Sequence, residues 1–234
     1  RVGAPASDAF PRVSHPYRLY SLGNVYNQGE LQDFMTRVQK NLPEGRTPTW
    51  HCETKFDGLS IALVYAEGVL QRAITRGDGE SGEDVTSNVR TIRNLPLSIS
   101  THAPVCLRAE IVLPRVEFER INQSQQDLGE RPFANPRNAA AGTIRQLNPE
   151  VTASRKLRAY VYEILNPEAV GLQTQKDCYE WLSEQKFATD PLACHAASLA
   201  EVEAFLGRLE STRSTLSFDT DGAVIKINQL DLRP

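Results

Sequence analysis

The spacing of hydrophobic residues changes from helical to strand-like near Trp50. Before that point, Asn27 stands three residues ahead of Glu30 in a capping arrangement, and one apolar helical stripe follows: Leu31, Phe34, Met35 and Val38. The pattern predicts one helix that begins at Asn27 and ends within residues 41–48. Residues 1–26 show no helical period, so we expect an extended lead-in there.

Strand-like segments dominate the rest of the chain. Residues 59–65 and 69–75 are rich in apolar and β-branched side chains, and Glu67-Gly68 between them predicts the turn of a hairpin. Further strands are predicted at 105–113, 159–165 and 223–227, with helices near Val85, after Pro114 and after Ser198. Strands that arrive as hairpins between groups of helices predict an α+β fold with largely antiparallel sheets flanked by helices.

Length and composition narrow the class of protein. With 234 residues, 40% hydrophobic and 24% charged, the chain is unlike a disordered or fibrous protein. Its apolar runs fall short of the roughly 18 residues that suggest a membrane span, so we expect no membrane partner. The four cysteines form no CxxC pair, which favours a reducing, cytoplasmic setting without a zinc site or disulfide. Because the chain opens with Arg1 and no leader, we expect a piece of a longer protein.

Charge is distributed unevenly. The net charge is −3, yet residues 131–158 contain six basic residues and one acidic residue. Such a patch is able to hold phosphates on an otherwise acidic protein. A solvated basic face is the equally weighted alternative.

Residues 77–82 match the pattern G-x-G-x-x-G that occurs in dinucleotide-binding folds. Four acidic residues lie in or beside this segment and would repel a pyrophosphate at a helix N-terminus: Asp78, Glu80, Glu83 and Asp84. The preceding strand also belongs to a predicted hairpin rather than to a βαβ unit. We therefore set the dinucleotide-fold interpretation aside.

The segment Lys55-Phe56-Asp57-Gly58 is a sharper chemical signal. A lysine just before a buried strand, with an acid two residues later and a glycine for a close turn, is able to present an amine at the floor of a pocket. By itself the pattern is weak, and a Lys-Asp turn on the surface is the alternative.

Other motifs follow in the same order along nearly all of the chain. They include Ser21-Leu22-Gly23-Asn24, Arg108-Ala109-Glu110, Asn135-Pro136-Arg137-Asn138-Ala139-Ala140-Ala141-Gly142 and Asp221-Gly222-Ala223-Val224-Ile225-Lys226, with residues 75–79 and 82–92 between them. Together with Lys55-x-Asp57-Gly58, they make the chain resemble the adenylation (nucleotidyltransferase) domain of NAD-dependent DNA ligases. ATP-dependent ligases and capping enzymes share the lysine motif but not the segment 135–142.

The resemblance implies a fold, a domain organisation and an activity. It implies that residues 1–48 form a lead-in and helix, and that residues 49–234 form a nucleotidyltransferase core without the family's last motif and NMN-binding subdomain. The implied reaction seals DNA nicks through a lysyl-AMP intermediate, using NAD and Mg²⁺. The implied partner is nicked double-stranded DNA, bound by a monomer in bacterial DNA replication and repair, in the cytoplasm near the nucleoid. The isolated fragment is expected to be inactive or very weak.

The resemblance also assigns roles to individual residues. Lys55 would be the nucleophile, with Asp57 beside it and Lys226 near the adenine ring. Glu53 would accept a hydrogen bond from the adenine amino group. The remaining assignments are Ser21 and Leu22 as cofactor-binding residues, Arg76 and Glu110 at the ribose, Tyr162 stacked on the base, and Arg137 and Arg145 at DNA phosphates or in later steps.

Each role has a structural alternative. Glu53 and Glu110 alternate along strands and could be solvent-facing carboxylates, Tyr162 could be a core residue, and the arginines could be surface charges.

Attack on NAD needs a neutral amine, whereas a free lysine has a pKa near ~10.4. Positive charge from Lys226 or Mg²⁺ is therefore expected near the nucleophile.

Two departures and two rival functions remain open. Ala109 stands where the resembled family has glycine, and Gly23 stands where it has aspartate. The four histidines show no ligand spacing, so we expect none of them to bind a metal. One rival is an ATP-dependent ligase or guanylyltransferase, and the other is a non-catalytic nucleotide- or DNA-binding module.

Overall fold

A computed structural model describes residues 10–233 of the chain. Its strands are β1 (Arg12–Ser14), β2 (Trp50–Phe56), β3 (Leu59–Ala66), β4 (Val69–Thr75), β5 (Ser81–Glu83), β6 (Val105–Val112), β7 (Arg158–Ile164), β8 (Cys194–Ala196) and β9 (Thr220–Ile227). Its helices are α1 (Gln28–Asn41), α2 (Thr86–Val89), α3 (Arg115–Asp127), α4 (Pro136–Ile144), α5 (Pro149–Ser154), α6 (Gln175–Glu184) and α7 (Leu199–Thr212). This mixture of helices and antiparallel sheets confirms the predicted α+β class.

The largest sheet has four antiparallel strands in the order β4-β3-β6-β7. The predicted hairpin forms its first half, and the turn residues Glu67 and Gly68 both adopt positive φ, which suits a tight turn between twisted strands. Alternate side chains on one face enter the main apolar core, including Ile61, Leu63, Leu107, Ile111 and Val161. Residues from α2, α3, α4 and α6 pack into the same core.

A second sheet of three antiparallel strands has the order β8-β2-β9. Trp50 and Cys52 on one face of β2 pack against Leu31 of α1 and Phe205 of α7 in a separate apolar cluster. The alternation of a strand therefore turns His51, Glu53 and Lys55 to the opposite face. That face meets β7 and α6, where polar contacts replace apolar packing.

A short third sheet pairs β1 with β5. The backbone N–H of Leu19 also donates to the carbonyl oxygen of Gly79, 2.9 Å away, which ties the lead-in to the turn after β4. The extended lead-in is thus confirmed from residue 10 onward, and residues 1–9 lie outside the described part of the chain.

The amphipathic helices are confirmed together with their caps. The side chain of Asn27 accepts from the N–H of Glu30 at the start of α1, and Ser198 accepts from Glu201 at the start of α7. The strands β1, β5 and β8 and the helices α4, α5 and α6 were not predicted. The proposed division at residues 48 and 49 stays a prediction. Within residues 10–233, no helix combines the length and apolar character needed to cross a membrane.

Candidate active site

Lys55 lies near the end of β2, and its ammonium forms an ion pair with Asp221 of β9. The Lys55 side chain is 40% exposed and that of Asp221 is 60% exposed. The hydrogen bond from Lys55 lowers the pKa of Asp221, and Arg137 acts in the same direction. The amine of the predicted nucleophile is therefore open to solvent and is held by a carboxylate on the neighbouring strand.

The turn after Lys55 is tight, and Gly58 is required by its close approach to β6. A Cβ atom built on Gly58 would lie 2.2 Å from the carbonyl oxygen of Ile111. The N–H of Gly58 donates to Glu110 at 3.2 Å, and the N–H of Asp57 donates to the carbonyl of Asp219 at 3.0 Å. The sequence prediction of a close turn at this glycine is confirmed.

Glu53 is a buried carboxylate with three polar neighbours. Its side chain is 3% exposed and lies 2.5 Å from the ammonium of Lys226. The hydroxyl of Tyr179 donates to its other oxygen at 2.7 Å, and His51 Nε2 lies 3.5 Å from that same oxygen. Burial alone would raise the pKa of Glu53, but Lys226 and His51 outweigh burial and hold it below its usual range. The solvent-facing alternative is therefore wrong for Glu53.

Tyr162 of β7 lies between two cations. Lys226 Nζ is 5.2 Å from the ring centroid, and the guanidinium carbon of Arg108 is 5.5 Å from it. The Tyr162 hydroxyl forms a 2.9 Å hydrogen bond with Ser60 Oγ, and burial raises its pKa. The surroundings of the Tyr162 ring are therefore polar and charged rather than purely apolar. The predicted stacking of Tyr162 on a base stays a prediction.

Glu110 of β6 is a second carboxylate with the opposite behaviour. Burial raises its pKa to about 7, although the Gly58 N–H and the guanidinium groups of Arg137 and Arg108 oppose that shift. Glu110 is partly buried, so the alternative of a fully solvent-facing carboxylate does not describe it. Glu110 therefore titrates near neutral pH at the edge of the Lys55 turn.

The predicted cofactor residues of the lead-in meet the end of β4. Arg76 donates from Nη2 to Ser21 Oγ at 2.7 Å, so two of the predicted ligand-binding residues are in contact. Leu22 follows them and is 57% exposed. This side of the site remains open to solvent.

The two predicted DNA-binding arginines are both paired with carboxylates. Arg137 Nη1 at the start of α4 lies 3.3 Å from Asp57, which places it beside the lysine motif. Arg145 at the end of α4 donates to Glu83 at 2.7 Å. Both side chains stay substantially exposed, Arg137 at 62% and Arg145 at 39%.

Comparison with known proteins decides the family. The family model described as the NAD-dependent DNA ligase adenylation domain matches residues 7–234. The chain belongs to this family. The adenylation domain is also 39% identical to the DNA ligase of Bacillus subtilis (strain 168) over 231 residues, which is 99% of this chain and 34% of that protein. It is 40% identical to the DNA ligase of Petrotoga mobilis over 233 residues, or 35% of that protein. It thus spans about a third of these curated relatives.

Sequence analysis missed several residues that complete the site of the adenylation domain. Asp221 lies in a quoted motif but received no role, and Tyr179 lies on the unpredicted helix α6. His51 was expected to be incidental, and the structure places its Nε2 3.5 Å from Glu53. Its place two residues before Glu53 on a strand was the signal that it shares the same face. The Arg108–Glu163 ion pair, 3.1 Å long, was also missed.

The lysines of the adenylation domain are paired separately. The ammonium of Lys226 is paired with Glu53, whereas that of Lys55 is paired with Asp221. The expected charge of Lys226 near the nucleophile stays a prediction. Within residues 10–233, the structure contains no group of three or more His, Cys, Asp or Glu side chains placed to hold a metal ion.

Proposed function

We propose that this chain carries out the adenylation step of an NAD-dependent DNA ligase, with Lys55 as the nucleophile. The observation that carries the proposal is one face of β2, which carries both the accessible Lys55 and the buried Glu53, and Glu53 is paired with Lys226. Membership of the adenylation-domain family supports the same role. The amine of Lys55 would attack the α-phosphorus of NAD, and nicotinamide mononucleotide would leave.

The adenosine half of NAD fits the polar groups around Tyr162. Glu53 is ionised and has acceptor capacity beyond its contacts with Lys226 and Tyr179, which suits an exocyclic amino group. His51 Nδ1 and Arg108 Nε are buried and lack hydrogen-bond partners within the described residues. Unpartnered buried polar atoms of this kind favour a polar ligand, because leaving them unsatisfied costs about 1–3 kcal/mol each.

The ribose and phosphate contacts follow from the open side of the same site. We infer that Arg76 and Glu110 hold the ribose, with Ser21 and Leu22 at the entrance. Asp57 lies beside Arg137 and positions that guanidinium next to the lysine motif. The ion pair between Lys55 and Asp221 must open before attack, since the nucleophile is the neutral amine.

We include Mg²⁺ in the proposed reaction because the substrate carries phosphate groups. This ion commonly binds one or two carboxylates together with substrate phosphates and waters. Asp57 lies two residues after Lys55 in the sequence and Asp221 pairs with Lys55 in the structure, so either carboxylate suits such a role. When bound, the ion would stabilise charge on the phosphates.

Transfer of AMP to the 5′-phosphate of a DNA nick would complete the activity of the whole protein. We propose that Arg137 and Arg145 contact DNA phosphates, because both guanidinium groups are exposed and flank α4. We further propose that the protein acts as a monomer, in the cytoplasm and close to the nucleoid.

The deciding experiment is intact-mass spectrometry of the whole protein after incubation with Mg²⁺ and one of NAD, ATP or GTP. We expect one added AMP with NAD alone, loss of this adduct in Lys55→Ala, and retention in Lys40→Ala, a lysine of α1. Labelling by ATP or GTP instead would favour the rival enzymes. Binding of NAD without any adduct would favour the non-catalytic module and overturn the proposed reaction.

A further inference from the structure

Cys52 and Cys194 face each other across neighbouring strands. They are directly opposite in the antiparallel pairing of β2 with β8, and both side chains belong to the apolar cluster on one face of that sheet. Opposite residues of antiparallel strands have Cα atoms about 4.5–5.5 Å apart, which lies within the range of about 4.4–6.8 Å that disulfides span. Both residues are free thiols in this structure. The backbone geometry therefore suits a bond between the two sulfur atoms.

The two thiols differ in access and in charge environment. Cys52 is completely buried, whereas Cys194 is partly exposed at the edge of the same apolar cluster. Arg208 of α7 donates from Nη2 to Cys194 Sγ at 3.2 Å, so a positive charge lies against the accessible sulfur. Accessible cysteines beside a cation are the ones that react with oxidants, while a buried neighbour acts as the resolving thiol. Burial raises the pKa of Cys52 to about 12, so Cys52 is held as a neutral thiol and Cys194 is the sulfur that meets an oxidant first.

We propose that Cys52 and Cys194 form a reversible disulfide, and that this pair is a modification site for peroxide oxidants. The sulfur of Cys194 attacks one oxygen of hydrogen peroxide, which forms a sulfenic acid and releases one water molecule. The sulfur of Cys52 then attacks the Cys194 sulfur and displaces hydroxide, which takes up the Cys52 proton as a second water molecule. Two thiols are oxidised and one peroxide is reduced to two waters.

The disulfide would act on the strand that carries the candidate active site. Cys52 lies between His51 and Glu53, on the face of β2 that is turned away from them. The bond would tie β2 to the three-residue strand β8 and enclose more than half of the chain in one covalent loop. A loop of this size restricts the unfolded state strongly, so we expect the oxidised form to be more stable.

The remaining cysteines provide matched controls. Cys106 is buried opposite Val64 in the four-stranded sheet, and Cys178 is buried on α6. Neither lies opposite a second cysteine in a strand pairing of the described residues. If disulfide formation requires a cysteine directly opposite on the neighbouring strand, Cys106 and Cys178 should stay reduced.

The test is peptide mapping of the protein after treatment with one equivalent of hydrogen peroxide. We expect one linked peptide pair containing Cys52 and Cys194, which separates again with a dithiol reductant. Cys106→Ala should retain the linked pair, and Cys194→Ser should lose it and leave Cys52 as a free thiol. The oxidised protein should also unfold at a temperature higher by about 5–10 °C.

Two results would overturn the proposal. One is oxidation of Cys194 to sulfinic acid while Cys52 stays a free thiol, and the other is recovery of both cysteines in reduced form. Because both are read from the unsubstituted protein, a failure of Cys194→Ser to fold leaves the test intact.

Discussion

Two carboxylates of the site show how local partners decide ionisation. Glu53 is the more deeply buried, yet the ammonium of Lys226 keeps its pKa low. Glu110 accepts from the N–H of Gly58 and is influenced by nearby arginines, but burial dominates and raises its pKa to about 7. The presence of a direct ammonium partner, rather than depth alone, separates the two groups.

The raised pKa of Glu110 predicts a pH-dependent stability. The group has a pKa near 4.5 when unfolded and about 7 when folded, so the folded state binds more protons between these values. The free energy of unfolding should therefore fall as pH rises from 4.5 to 7. Glu110→Gln should remove this loss. Near pH 8 the variant's free energy of unfolding should be higher than that of the unsubstituted protein by about 2 kcal/mol, and below pH 4.5 the two values should be similar.

Urea unfolding at a series of pH values measures this effect. Glu119→Gln, at an exposed position of α3, is the control and should follow the unsubstituted protein. A difference between Glu110→Gln and the unsubstituted protein that does not change with pH would contradict the assigned shift.

The motifs identified which residues matter, but not how they are paired. Lys55, Glu53 and Lys226 could be selected from the sequence because their types and order match a known pattern. The pairing of Lys55 with Asp221 depends on the register of β2 against β9, which no local pattern encodes. Tyr179 reaches Glu53 from α6, so its role could not be predicted without that helix.

At the scale of elements, the strands and helices with a clear period were predictable. The hairpin of β3 and β4 and the capped helices α1 and α7 carry their own signals of alternation, turn residues and caps. Helices α4 and α5 are short, and their positions depend on tertiary packing, that of α4 against the main core and that of α5 against α2 and α4. The three-residue strands β1, β5 and β8 are too short to show an alternation.

The turn between β2 and β3 predicts a strong effect of one methyl group. Gly58→Ala would place Cβ 2.2 Å from the Ile111 carbonyl oxygen and 3.0 Å from a methyl group of Val112. The strands must shift apart to relieve this contact, so the free energy of unfolding should fall by about 2–3 kcal/mol. Denaturant unfolding measures the change.

Gly207→Ala is the matched control for this turn. Gly207 lies in α7 with nothing within 4 Å of a built Cβ, so alanine should raise stability by about 0.5–1 kcal/mol through helix propensity. Equal changes in the free energy of unfolding for the two substitutions would show that the close approach of Gly58 to β6 does not exclude a side chain at this position.

At the scale of the whole molecule, positive charge is concentrated in one segment although the net charge is negative. The protein carries a net charge of −3, but the segment that includes α4 and α5 is basic. Glu83 and Asp57 partly neutralise its two site arginines. A phosphate would therefore compete with carboxylates for these guanidinium groups.

This arrangement predicts the salt dependence of DNA binding by the whole protein. Replacement of both Arg137 and Arg145 by alanine should weaken binding to nicked duplex DNA, and each lost contact should reduce the log–log salt slope by about 0.9. Arg37→Ala, on the exposed face of α1, should leave the slope unchanged. Titrations at several salt concentrations test this, and an unchanged slope in the double variant would favour a solvated basic face.

The alternation of β2 makes the protein tolerant of some genetic changes and intolerant of others. His51, Glu53 and Lys55 face the candidate site, while Trp50 and Cys52 face the helices. A substitution changes one of these positions, but a single inserted or deleted codon between Trp50 and Glu53 would exchange the two faces. If the start of the strand kept its register, the lysine would enter the apolar cluster; if the end kept it, the tryptophan would enter the site. Natural variation in this strand should therefore consist of replacements at constant length, with insertions confined to the loops on either side.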